Sequence, residues 1–145
     1  MFSVVESATI PRPPAEVFAA AADPHTQLTW DAATLKSVEQ LSSGPLERGA
    51  RFRGDFKGMG RVEYEFVEYE PPRRFAHLAR MPLGEVRHVF TLEAADGGTR
   101  LTQEGRVEPN LLGQVLAPLM RRMLRRRFRT INQELSDYLT PNGSA

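Results

Sequence analysis

Six successive segments with apolar residues at every second position, followed by one long stretch repeating near 3.6, leave this chain few possible folds. Over Ala50–Lys57, Phe52, Gly54 and Phe56 share one face of a strand, with Arg51, Arg53 and Asp55 on the other. Over Arg61–Glu70, Val62, Tyr64 and Phe66 fall inward, and Arg61, Glu63 and Glu65 outward. Val67 breaks that phase; a bulge or a strand switching faces explains it. Within Gly84–Ala94, Val86, His88, Phe90 and Leu92 alternate with Arg87, Val89, Thr91 and Glu93. Leu35–Leu41, Phe75–Met81 and Thr99–Val107 complete the six. The links include Gly58-Met59-Gly60, Pro71-Pro72 and Asp96-Gly97-Gly98, all turn sequences, so the strands form an antiparallel meander.

Phe2–Ile10 reads as a further strand, which makes seven. Pro11, Pro13 and Pro14 end it, and Ala15–Ala22 follows as a short helix with Val17, Phe18 and Ala21 on one side. Asp23 is placed to cap a second short helix reaching Trp30. After the meander, Leu111–Leu139 reads as a long helix. Its apolar stripe is Leu116, Met120, Met123, Phe128, Ile131, Leu135 and Tyr138. Pro118 either kinks this helix or marks a break after a short leading turn. One helix cannot cover both faces of seven strands, so the sheet must curl around it. Gly54 and Gly105 lie on the inward face, where bending is easiest. The expectation is an α+β fold: a curved seven-stranded antiparallel sheet around a long C-terminal helix, with two short helices after the first strand. A cavity remains where the helix departs from the sheet.

The chain has 145 residues, enough for a core without disulfides, and it has no cysteine. That excludes thiol catalysis and thiolate metal sites. A hydrophobic content of 41% with 26% charged residues is a globular balance. The formal net charge of +1 gives no overall pull toward nucleic acid. No signal peptide or membrane-length apolar run is visible, so a cytoplasmic protein is expected. Residues 1–140 read as a single domain and 141–145 as a frayed tail. Basic residues comprise 17 Arg and only two Lys, Lys36 and Lys57. A GC-rich bacterial genome produces that bias; selection for bidentate anion contacts is the alternative.

The expected cavity walls are Phe52, Phe56, Tyr64, Phe66, Phe90 and the inner stripe of the last helix, with Met120 and Met123. Three polar residues, His77, His88 and Gln103, fall on the same inward positions. Such groups are costly to bury unbonded. They either orient a ligand in an apolar pocket or bond to one another, to backbone or to water. His77 and His88 can be neighbours on adjacent strands. The three histidines lack metal-ligand spacing, so no metal and no cofactor is expected. Acid–base chemistry has candidates: His77 or His88 to move protons, Tyr64 or Gln103 to polarise carbonyls.

Several local patterns resemble the START-like SRPBCC superfamily, of the polyketide cyclase/dehydrase type. They are Thr9-Ile10-Pro11-Arg12-Pro13-Pro14-Ala15-Glu16-Val17-Phe18, then Asp23-Pro24 with Leu28 and Trp30. Tyr69-Glu70-Pro71-Pro72-Arg73-Arg74-Phe75 and Gly97-Gly98-Thr99-Arg100-Leu101-Thr102 follow in order. The resemblance spans essentially the whole chain and implies the helix-grip fold. It implies a cavity for lipids, polyketides, quinones or similar molecules, with Trp30 near the entrance, and it supplies no shared catalytic motif. Binding or transport of a small hydrophobic ligand is the leading expectation, as a monomer or homodimer. A polyketide cyclase, aromatase or dehydrase is the second.

Arg121, Arg122, Arg125, Arg126, Arg127 and Arg129 crowd the last helix on the side expected to face away from the sheet. They form either a solvated face or a contact for an anionic membrane, an acidic partner or an acidic ligand. Nucleic acid is not expected, because no exposed aromatics interleave them. A protein-interaction module using this basic helix is the third functional reading.

Overall fold

The computed structural model describes residues 1–141. The tail expected to fray lies, apart from Pro141, outside the described residues. The chain runs β1 (Phe2–Ile10), α1 (Pro14–Ala22), α2 (Pro24–Trp30), β2 (Leu35–Gln40), β3 (Arg51–Phe56), β4 (Gly60–Glu70) and β5 (Arg74–Met81). It continues through β6 (Gly84–Ala95), β7 (Gly98–Pro109), α3 (Leu111–Val115) and α4 (Ala117–Leu139). All seven strands join one antiparallel sheet in the order β1-β7-β6-β5-β4-β3-β2. The helix-grip arrangement is therefore present, with β1 closing against the last strand of the meander.

Each local expectation has a physical counterpart. The Asp23 carboxylate accepts from the His25 N–H at 2.9 Å and caps α2. The register shifts between Phe66 and Glu68, so Val67 is the extra residue of a bulge. The long C-terminal helix is divided at Leu116. Pro118 falls in the first turn of α4, where its missing N–H costs no intrahelical bond. The α4 stripe is shorter than periodicity suggests: Phe128, Ile131 and Leu135 are buried, but Met123 and Tyr138 are exposed. No helix among the described residues is long and apolar enough to cross a membrane.

The sheet and α4 meet most closely at Gly105. A Cβ there would lie 2.8 Å from the Phe128 ring. Gly105 pairs across the ladder with His88, whose ring stacks on Phe128 at 4.4 Å between centroids and 13° between planes. Glycine at 105 thus supplies the seat for the helix as well as freedom to bend. One core cluster gathers Phe18, Trp30, Phe52, Phe66, Phe75, Phe90, Ile131 and Leu135 among others. A second holds Phe2, Val4, Val107 and Phe128.

Phe128 stacks on His88 and presses on Gly105, so a methyl group at 105 displaces its ring from that stack. Gly105→Ala should cost about 1–3 kcal/mol through overpacking. Urea unfolding checks this, and an unchanged midpoint would refute the seat.

Candidate functional site

Between the sheet and the middle of α4 lies a cavity of about 140 Å³, whose walls draw on both core clusters. Phe56, Val62, Tyr64, Ala79, Val86 and Phe90 line it from the sheet. Leu124, Arg127, Phe128 and Ile131 line it from α4, and Gln27 and Trp30 from α2. The wall is largely apolar, and its polar atoms are few enough to account for singly.

His77 and His88 both line the cavity and sit opposite each other in the β5–β6 register, with ring centroids 6.3 Å apart. Burial lowers both to a pKa of about 3, helped for His88 by its neighbour His77. Both rings are therefore neutral at pH 7. His88 Nε2 lies 2.9 Å from Gln103 Oε1. Gln103 Nε2 donates to the Phe128 carbonyl at 2.9 Å and to Asn132 Oδ1 at 2.6 Å. A backbone carbonyl only accepts, so the amide nitrogen must face it and Oε1 must face His88. His88 Nε2 then carries the proton, and Nδ1 is left as an acceptor.

His77 Nε2 and the Tyr64 hydroxyl have no hydrogen-bond partner among the described residues. Their rings lie 4.9 Å apart and both face the cavity. Burial, reinforced by the charge of Asp23, raises the Tyr64 pKa further above neutral, so the phenol keeps its proton.

The remaining candidates separate. Phe52 and Phe66 are buried in the aromatic core behind the wall. Gln103 is completely buried with its amide engaged at both ends, so it supports His88 and has no group free to polarise a carbonyl. Met120 packs beside Phe2, Val4, Val107 and Phe128, while Met123 is 57% exposed. Neither methionine lines the cavity. Trp30 does, but it is buried and donates to the Ala20 carbonyl at 2.9 Å, tying α2 to α1.

One cluster escaped sequence reasoning. Arg127 points inward, away from the other helix arginines, and makes a two-pronged pair with the fully buried Asp31 at 3.0 and 2.5 Å. Gln27 Nε2 adds a bond to Asp31 at 2.8 Å. Glu134 lies within 4.0 Å of Arg127, and its pKa is raised by burial and then by the Asp31 carboxylate beside it. Arg127, Ile131 and Glu134 recur at i, i+4 and i+7, in the phase of the buried stripe. That spacing was the available signal.

The match to known proteins follows the fold. Residues 1–140 match the family model described as "Polyketide cyclase / dehydrase and lipid transport". No curated protein matches. A START superfamily protein from Mycobacterium smegmatis superposes with a TM-score of 0.79 at 14% identity, covering 96% of this chain and 97% of that one. A Thermus thermophilus protein gives 0.78 at 19% identity, with 99% and 100% covered. DynU16, from the dynemicin biosynthetic locus, gives 0.71 at 24% identity; the match covers 95% of this chain and 47% of that one. At these identities the likenesses establish fold alone.

Two outcomes follow from the buried charges. Arg127→Met strands the Asp31 carboxylate and should cost about 3–5 kcal/mol in chemical unfolding at pH 7. His77 has a folded pKa depressed to about 3. Its stabilising share is complete above the unfolded value near 6.5 and is lost as pH falls from there toward 3. Relative to wild type, His77→Leu should flatten the acid limb of the stability profile by up to about 1.4 kcal/mol per pH unit. Parallel limbs would show that His77 is not held neutral.

Proposed function

The chain belongs to the polyketide cyclase / dehydrase and lipid transport family, and from that premise we propose that its cavity binds a small apolar molecule bearing one or two polar groups. The observation that carries this reading is the unpartnered pair of buried polar atoms, Tyr64 hydroxyl and His77 Nε2, on two residues that line a largely apolar cavity. An unsatisfied buried polar atom costs about 1–3 kcal/mol, and a ligand hydroxyl or carbonyl would relieve that cost. Tyr64 offers a donor and His88 Nδ1 an acceptor; His77 Nε2 serves as either, depending on its tautomer. A cavity near 140 Å³ suits a single ring or a short chain. A long lipid or multi-ring polyketide needs the wall to yield, and Met59, Met81 and Leu124 are the adaptable side chains in it.

The cyclase or dehydrase reading draws on the same polar atoms. Here the protonation states favour binding. Neutral histidines with pKa values near 3 lack the imidazolium proton that a general acid gives up at pH 7, and they are feeble bases. For that chemistry, the site offers orientation and carbonyl polarisation by Tyr64.

The test compares p-cresol with p-xylene, probes of similar size, by calorimetric titration. Wild type should bind p-cresol up to about tenfold more tightly, the worth of one hydrogen bond. Tyr64→Phe combined with His77→Phe should erase that preference. Absence of saturable binding by either probe would overturn the proposal, and native mass spectrometry of protein from its own host would reveal a retained ligand.

A further inference from the structure

In the antiparallel meander, the β3–β4 hairpin, the β5–β6 turn and the C-terminus of β7 all lie at one end of the sheet. The α3 helix and the start of α4 follow at that end. Asn110 fixes α3 there, accepting from the Gly113 N–H at 2.9 Å and donating to the Pro82 carbonyl at 2.8 Å. A Cβ on Gly113 would lie 2.1 Å from the Leu83 carbonyl oxygen, so α3 is pressed onto the β5–β6 turn. The apolar side chains of this end are nevertheless turned to solvent: Leu111 is 82% exposed, Val115 75%, Leu119 52% and Met123 57%. Exposed aliphatic side chains gathered at one end of the fold mark a docking face.

Its charge names the occupant. No acidic residue occurs between Glu108 and Glu134. Glu6 takes up Arg125 and Arg129, and Asp31 takes up Arg127. Among the described residues, Arg122 and Arg126 make no ion pair. Along α4, Leu119, Arg122, Met123 and Arg126 lie at i, i+3, i+4 and i+7, on one side of the helix. We propose that α3 and the first turns of α4 dock on an anionic lipid bilayer, the aliphatic side chains entering the acyl boundary and Arg122 and Arg126 reaching lipid phosphates.

Two other occupants fit worse. A second copy across a two-fold axis would bring the arginines of one chain against those of the other. Nucleic acid would meet aliphatic side chains with no aromatic ring on which a base stacks. The docking face also adjoins the cavity: Met123 is on the surface and its neighbour Leu124 lines the interior. An apolar molecule would thus have a short path between bilayer and cavity. The docking claim itself does not depend on the cavity being filled.

Cosedimentation with vesicles tests the proposal, using phosphatidylcholine alone and phosphatidylcholine mixed with phosphatidylglycerol at low ionic strength. Wild type should sediment with the mixed vesicles, stay in solution with the neutral ones, and be released by salt. Val115→Glu with Leu119→Glu, and separately Arg122→Glu with Arg126→Glu, should each lower vesicle partition by about tenfold or more. All four residues are exposed, so unchanged melting temperatures and p-cresol titrations show that fold and cavity are intact. Wild type remaining in solution with anionic vesicles would overturn the proposal. So would full vesicle binding by the Val115/Leu119 variant, or a concentration-dependent dimer that this variant abolishes. Failure of p-cresol binding in wild type would count against the cavity reading alone.

Discussion

The Phe128 ring of α4 lies against the bare backbone of Gly105 and stacks on His88, and the position of the helix over the sheet depends on that contact. Gln103 secures it from beside the ladder by holding the Phe128 carbonyl and Asn132 with one end of its amide and His88 with the other. These bonds join β6, β7 and α4 at a point where Gln103 and Asn132 are buried from water. A hydrogen bond is worth most, and its loss costs most, in such surroundings. From that anchor α4 runs toward its N-terminus along the cavity, and the space below Leu124 is what the anchored helix leaves unfilled.

The same burial that strengthens the anchor sets the character of the site. It holds both histidines neutral and the Tyr64 phenol protonated, so these three cavity groups offer hydrogen bonds without charge, and Arg127 is the charged residue in the wall. Nearby, Asp31 and Arg127 pair with two-pronged geometry. Buried ion pairs of this kind contribute little net stability, but they tolerate few alternative partners. Here the pair fixes α2 against α4 and so holds the Trp30 wall in place.

The fold was legible because alternation and helical period are local signals, and each reports which face a residue turns to the core. Phe52, Tyr64, Phe66 and Phe90 were placed inward on that basis, and all four are buried. Even the interruption at Val67 was visible, since a single extra residue inverts the phase of everything after it. The site was legible only in part. Periodicity assigned Met123 to the inner stripe and Arg127 to the outer face, whereas the structure has them reversed. Charge outranks hydropathy where a buried counter-ion waits, and Asp31 lies 96 positions away along the chain.

The sequence by itself determined the order of elements, the number of strands, the face each strand turns inward and the two histidines on that face, because backbone geometry couples these to neighbouring residues. Only the tertiary structure decided which inward groups face space and which face protein. Gln103 and His77 occupy equivalent inward positions, yet one is saturated by α4 and the other is left with an open nitrogen. The difference arises where the helix lies relative to the curl of the sheet. That position is set by contacts such as Gly105 with Phe128, between residues far apart in the chain, to which no local pattern refers.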